Sequence, residues 1–131
     1  MTRPPRVEPK APGGMDASTQ RRLLGLLGLG VRGRGAVVGV ERVREAAKKG
    51  LLAVAVVAPD ASRHSLDKVV PLLEARRIRI IEGPSAEVLG NAVGREATAV
   101  VGVTDRSLAS GVLALFGAGV DGDTGPARAR E

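Results

Sequence analysis

Apolar residues recur along this chain in two alternating patterns, which predict helices and strands in turn. Between residues 18 and 27 the leucines recur at spacings of three and four, which is typical of a helix that buries one side. Asp16 or Ser18 can cap this helix, and we expect Gly28 and Gly30 to end it. A short strand is predicted next, around residues 35–38.

The following two segments have the clearest patterns. Residues 40–49, VERVREAAKK, predict a helix that turns Val40, Val43 and Ala47 inward, with Gly39 before it and Gly50 as its C-terminal stop. Eight consecutive apolar residues then follow in the run LLAVAVVA. This run is too short for a buried helix with its own caps and too apolar for an exposed strand, so it predicts a central strand.

The rest of the chain continues the alternation of helices and strands. We expect a helix over residues 62–76, a strand over 77–81, a helix over 86–94, a strand over 98–103 and a helix over 105–116. Pro71 predicts a kink in the first of these helices or its division into two. Four strands interleaved with five helices require crossover connections, so an α/β sheet covered by helices on both faces is predicted.

The ends of the chain differ in composition from its body. Residues 1–14 and 117–131 are rich in Pro, Gly and charged residues and have no apolar periodicity, so we expect both tails to be disordered. Residues 15–116 are expected to be one domain. The chain has no cysteine, no signal-like apolar run and no stretch of about 18 apolar residues, so we expect a soluble, cytoplasmic protein without membrane contact.

The net charge of +6 is concentrated in one third of the chain. Residues 21–49 hold eight Arg and Lys against two Glu, whereas seven basic and seven acidic residues cancel between 50 and 116. A concentrated positive charge indicates a surface that faces phosphates, although it can also serve only solubility. The chain has one Phe and no Trp or Tyr, so stacking of bases on aromatic rings is nearly excluded.

The motifs associated with catalysis are weak. The glycines of residues 28–33 have the spacing of a dinucleotide-binding motif, but they follow a predicted helix instead of a strand. His64 is the only histidine, and its neighbours in one helical turn do not form an oriented triad. Without cysteine or clustered acidic residues there is no ligand set for a transition metal. We therefore expect no enzymatic activity, no cofactor and no metal.

Residues 18–116 resemble the ribosomal L7Ae and L30e family of kink-turn RNA-binding proteins, most closely its small bacterial YlxQ-like members. The resemblance rests on four segments in the same order: GVERVREAAKKG, LLAVAVVAPDAS, IRIIEGPSAEVLGNAVG and AVVGVTDRSLA. It implies a three-layer α-β-α sandwich with a mixed four-stranded sheet, and a monomer that binds structured RNA, either ribosomal or kink-turn-like. The ribosome, or translation or transcription factors, would be further partners.

In that family, RNA contacts the start of the helix after the first strand, the turn after the central strand and the loop after LGxAxG. These correspond here to residues 39–42 with Glu45, to residues 58–61 and to residues 94–98. Family binders carry Asn, Glu and Lys where this chain has Glu41, Arg42 and Glu45, so we expect weak recognition of a standard kink-turn. The candidate RNA-contact residues are Arg32, Arg34, Gly39, Val40, Glu41, Arg42, Glu45, Asp60 and Arg95.

Two functions are compatible with these observations. The first is non-catalytic binding of structured RNA, which the charge favours. The second is a protein-interaction module of the same fold that has lost kink-turn recognition, which the two glutamates favour. Glu41 can be a carboxylate that the dipole of the helix favours in its first turn, and Glu45 can pair with Lys49 at a spacing of four, both being structural interpretations.

Overall fold

The computed structural model describes residues 15–116, in which helices cover both faces of a four-stranded sheet. The helices are α1 (Ala17–Arg32), α2 (Val40–Lys48), α3 (Arg63–Ala75), α4 (Ala86–Ala92) and α5 (Arg106–Ala114). The strands are β1 (Ala36–Val38), β2 (Val54–Val57), β3 (Arg79–Glu82) and β4 (Val100–Val103). The order of elements is the one predicted, and the two expected tails lie outside the described residues.

The sheet is mixed, with the strand order β1-β4-β2-β3. Strand β2 runs parallel to β3, whereas β4 runs antiparallel to both of its neighbours. The two inner strands, β2 and β4, are buried along their whole length. The prediction that LLAVAVVA supplies a central strand is therefore confirmed, although only residues 54–57 of the run pair in the sheet.

Each face of the sheet packs against its own layer of helices, which gives the predicted α-β-α sandwich. On one face, alternate residues of β2 and β4 meet buried residues of α1, α4 and α5. On the other face, the intervening residues meet α2 and α3, among them Val43 and Leu73. Because successive side chains of a strand point to opposite faces, one short apolar strand contributes to both cores.

Four helices begin with a side-chain cap, and the cap of α1 is Asp16, one of the two residues expected there. The side chains of Asp16, Ser62, Ser85 and Asp105 accept hydrogen bonds from backbone N–H groups three residues later, at 2.8 to 3.2 Å. Each bond satisfies a donor that the helix itself leaves unpaired. Helix α3 continues through Pro71, so the predicted division does not occur. Pro71 lies on the exposed side, and the buried Val69 and Leu73 hold the helix to the sheet.

The prediction that Gly28 and Gly30 end the first helix is wrong, because α1 continues to Arg32. Both glycines are buried contact points instead. A Cβ at Gly28 would lie 2.9 Å from the carbonyl oxygen of Ala92, and one at Gly30 would collide with the side chain of Leu108. The absence of a side chain lets α1 approach α4 and α5 closely, and this packing outweighs the low helix propensity of glycine.

Candidate functional site

The three segments selected by the resemblance meet beside residues 98–100. The N–H of Gly39 donates to the carbonyl of Val100 at 3.0 Å, and the N–H of Ala58 donates to the carbonyl of Ala99 at 2.8 Å. Loop 94–98 ends at the same place, where the N–H of Thr98 donates to the carbonyl of Ala86 at 3.0 Å. Residues 39–42, 58–61 and 94–98 therefore lie side by side at one end of the sheet.

The N-terminus of α2 is open at this end. Gly39 is its N-cap, with φ of 99° and ψ of 157°, and no side chain caps the helix. This backbone conformation is nearly restricted to glycine. A Cβ at Gly39 would meet no atom within 4 Å, so the position faces open space. Uncapped N–H groups and the positive end of the helix dipole favour an anion here.

Three of the candidate arginines surround one cleft. Arg34, Arg42 and Arg95 line an open cavity of about 340 Å³ whose floor is β1. They come from the turn after α1, the first turn of α2 and the loop after α4. Within residues 15–116 none of the three has an ion-pair partner. Arg32 does not line this cleft. Its guanidinium lies beside Gly28 of α1 instead, 3.8 Å from the position that a Cβ on that glycine would occupy.

The two glutamates of α2 have nearby cations. Glu45 pairs with Lys49 at 3.2 Å, which is the pair that the four-residue spacing indicated. Glu41 lies 3.7 Å from the Nζ of Lys68 on α3, a partner that sequence spacing could not reveal. Both carboxylates are exposed, so each pair contributes at most about 1 kcal/mol to stability. Their negative charge is nevertheless partly neutralised, whereas Arg42 between them stays unpaired within the described residues.

Asp60 has a structural partner. Its carboxylate accepts a hydrogen bond of 2.7 Å from the N–H of Ala86, the first residue of α4. The N–H of Ala61 also bonds back to the carbonyl of Ala58 at 3.2 Å and closes the turn. Asp60 thus connects turn 58–61 to α4. It positions this part of the candidate surface whether or not it also contacts a ligand.

Gly90 and Thr98 shape the loop, although Gly90 was not among the candidate residues and Thr98 was included only as the end of loop 94–98. A Cβ at Gly90 would lie 2.5 to 2.7 Å from backbone atoms of Ala97, so only glycine lets loop 94–98 pack on α4. Thr98 is the one buried polar residue in the described part of the chain, and its hydroxyl donates to the carbonyl of Val100 at 3.2 Å. The LGxAxG motif indicated Gly90, whereas no pattern indicated the burial of Thr98.

The described residues contain no arrangement typical of a metal site or a membrane span. No group of three or more His, Asp or Glu side chains in residues 15–116 could hold a metal ion. No helix in this part of the chain has the length and apolar character needed to cross a bilayer. His64, at the start of α3, is exposed to solvent.

Residues 22–111 match the sequence profile of the Ribosomal protein L7Ae/L30e/S12e/Gadd45 family. The chain belongs to this family. The RNA-binding protein YlxQ of Bacillus subtilis (strain 168) is 31% identical to this chain over 91 residues, which cover 70% of this chain and 91% of YlxQ. The resemblance stated from the sequence is therefore confirmed.

Two solved structures agree with this L7Ae-family fold. A Bacillus halodurans protein of unknown function superposes with a TM-score of 0.66 at 28% identity, covering 72% of this chain and 96% of that one. The Giardia lamblia 15.5kD RNA binding protein also superposes with a TM-score of 0.66, covering 86% of this chain and 96% of its own. At 19% identity, the second comparison supports the fold alone.

Proposed function

We propose that this member of the L7Ae family binds structured RNA without catalysing a reaction. The binding surface consists of the N-terminus of α2, turn 58–61 and loop 94–98, together with the cleft of three arginines. The observation that carries the proposal is that Arg34, Arg42 and Arg95 lie without ion-pair partners among the described residues beside an uncapped helix N-terminus. The name of the Bacillus subtilis relative, an RNA-binding protein, supports it.

The chemistry of this surface suits phosphate more than bases. Guanidinium groups form paired hydrogen bonds to phosphate oxygens, and the free N–H groups of α2 add donors beside them. Gly39 leaves room for a nucleic-acid backbone to approach. Phosphate contacts position a protein on RNA but do not read sequence, so specificity comes from the folded shape of the RNA.

The RNA in this proposal is ribosomal or ribosome-associated, and the protein acts as a cytoplasmic monomer. A standard kink-turn is a weaker candidate, because Glu41, Arg42 and Glu45 stand where family binders carry Asn, Glu and Lys. Arg42 can attract a phosphate, but it cannot accept hydrogen bonds from a guanine edge as a carboxylate does. We therefore propose binding that follows RNA shape and charge, with little preference for a kink-turn.

A salt titration with matched variants tests RNA binding. We expect affinity for total ribosomal RNA to fall log-linearly with salt, and Arg42→Gln to reduce the slope by about 0.7 to 0.9, the contribution of one phosphate contact. Arg76→Gln, which changes an exposed arginine at the C-terminal end of α3, is the matched control and should leave the slope unchanged. The proposal fails if the wild type does not bind at about 50 mM salt, or if both variants behave alike.

A further inference from the structure

Within residues 15–116, no strand pairs with the outer edge of the sheet at β1. Gly39 donates to the carbonyl of Val100, and Thr104 donates to the carbonyl of Gly35, so residues 35 and 39 face β4. The register pairs Val37 with Gly102 between them. Hydrogen-bonding groups alternate in direction along an antiparallel strand, so the N–H and C=O groups of Ala36 and Val38 point away from the sheet.

A surface cleft follows this edge. Ala36, Val37 and Val38 all line the cavity of about 340 Å³ that the three arginines surround. Successive side chains of a strand point to opposite faces, so a single cleft touches three consecutive residues only where it runs along the edge. Ala36 and Val38 are each only 7% exposed, and their outward-facing backbone groups, which have no backbone partner among the described residues, border this cleft.

The opposite edge of the sheet is protected in a way that β1 is not. Strand β3 has the exposed, charged residues Arg79 and Glu82 at its ends. Charged side chains on an edge strand discourage pairing with another chain. Strand β1 contains only Ala and Val. These side chains pack in the cores on the two faces of the sheet, so the strand carries no charged side chain of its own to discourage pairing at its edge.

A second cleft adjoins the same strand beneath α2. It has a volume of about 610 Å³, and its apolar lining consists of Val37, Ala46 and Leu51. Leu51 is 56% exposed, although large apolar side chains are otherwise mostly covered in the described residues. Its polar lining consists of Arg42, Thr104 and the ion pair of Glu45 with Lys49. Apolar lining suits a protein side chain, whereas a sugar-phosphate backbone offers nothing to fill it.

We propose that β1 accepts an extended, acidic segment of a partner protein as a fifth strand. Its backbone pairs with Ala36 and Val38, and one apolar side chain enters the cleft beneath α2. Its carboxylates face Arg34, Arg42 and Arg95, and no carboxylate of the described residues lines that cleft. Strand addition to a free edge combines backbone hydrogen bonds with pockets for alternate side chains. Arg42 lines both clefts, so the segment competes with an RNA bound at this arginine.

A fluorescent peptide of alternating aspartate and valine, ten residues long, is the probe for this edge. Two derivatives are N-methylated on the valines or on the aspartates, which blocks one or the other backbone edge but leaves every side chain in place. At least one derivative should bind about tenfold more weakly than the parent, the loss expected when buried hydrogen bonds are removed. If both derivatives bind as well as the parent peptide, charge attraction alone explains binding and strand addition is wrong.

Variants of the protein locate the peptide. Leu51→Ser should weaken binding about tenfold, as expected for a lost apolar contact, whereas Leu29→Ser, at the equally exposed leucine of α1, should not. A single-stranded RNA decamer is measured with the same proteins. The proposal is overturned if the peptide does not bind at about 1 mM, or if Leu51→Ser and Leu29→Ser have the same affinity for it. It is also overturned if Leu51→Ser weakens binding of the RNA decamer but not of the peptide. None of these results depends on whether the protein binds folded RNA.

Discussion

The carboxylate of Asp60 accepts a hydrogen bond of 2.7 Å from the backbone N–H of Ala86, 26 residues later in the chain. This bond satisfies a donor at the N-terminus of α4 and fastens turn 58–61 to that helix. The candidate surface therefore depends on a contact between two segments that are far apart in sequence.

Removing this acceptor should destabilise the fold. We expect Asp60→Ala to lower the free energy of unfolding by about 1 to 2 kcal/mol, the usual effect of losing a helix N-terminal acceptor. Asp60→Asn keeps an acceptor oxygen and should retain most of that stability. Urea unfolding measures both, with Asp67→Ala on the exposed side of α3 as the control. Equal stability of Asp60→Ala and wild type would show that water replaces the bond without loss.

The conformation of Gly39 provides a second prediction. Its φ of 99° is strained for any other residue, although a Cβ there would meet no neighbour. Gly39→Ala should therefore cost about 1 to 3 kcal/mol through backbone strain alone. Gly25→Ala is a matched control, because Gly25 lies in α1 with open space around it and should gain about 0.5 to 1 kcal/mol from helix propensity. Thermal unfolding compares the two, and a stable Gly39→Ala would contradict the strain argument.

Substitution of Gly90 should destabilise the protein through a steric clash instead of backbone strain. A Cβ there would lie 2.5 Å from the Cα of Ala97, so Gly90→Ala must displace loop 94–98. We expect a loss of about 1 to 3 kcal/mol, as for overpacking elsewhere, together with weaker RNA binding. Gly111→Ala is the control, since the nearest atom to its Cβ would be 3.7 Å away. Denaturation and RNA binding are measured on both variants, and a Gly90→Ala protein that matches the Gly111→Ala protein in both would refute this role.

The residues of α2 that differ from those of family binders, Glu41, Arg42 and Glu45, predict how tightly the protein binds a kink-turn. Wild type should bind a standard kink-turn weakly and discriminate poorly against a hairpin without sheared pairs. Replacing Glu41→Asn, Arg42→Glu and Glu45→Lys together should strengthen kink-turn binding, each restored contact contributing on the order of 1 to 3 kcal/mol. Glu41 and Glu45 are 79% and 65% exposed, so loss of their ion pairs should not unfold the protein.

Affinities of wild type and triple variant for the two RNAs decide the question, with circular dichroism as the folding control. The expected result is a gain by the variant on the kink-turn and little change on the hairpin. Tight and selective kink-turn binding by the wild type would show that Glu41, Arg42 and Glu45 are compatible with recognition.

Local chemistry explains why the order of elements could be predicted. Asp16, Ser62, Ser85 and Asp105 are residue types whose short side chains reach the free N–H groups of a helix, and all four cap the helices expected after them. The errors came from residues whose role is tertiary. Gly28 and Gly30 have the local chemistry of helix ends, but α4, α5 and β1 pack against them and the helix continues.

Some features of the candidate surface are likewise local in sequence, and others depend on tertiary packing. The glycine before α2, the LGxAxG motif and the concentration of arginine are local features, and together with the family resemblance they indicated the three segments of the surface. Grouping Arg34, Arg42 and Arg95 around one cleft, with Arg32 outside it, depends on how the turn after α1, helix α2 and loop 94–98 approach one another. The pairing of Glu41 with Lys68 likewise depends on the packing of α2 against α3.

The sequence by itself determined the alternation of helices and strands, the central position of residues 54–57 and the family, because periodicity, capping and segment order are properties of neighbouring residues. Only the tertiary structure decided which charges are paired, which glycines are contact points and that β1 lies at an edge of the sheet. Those properties depend on distances between residues remote in the chain, which the packing of helices on the sheet sets.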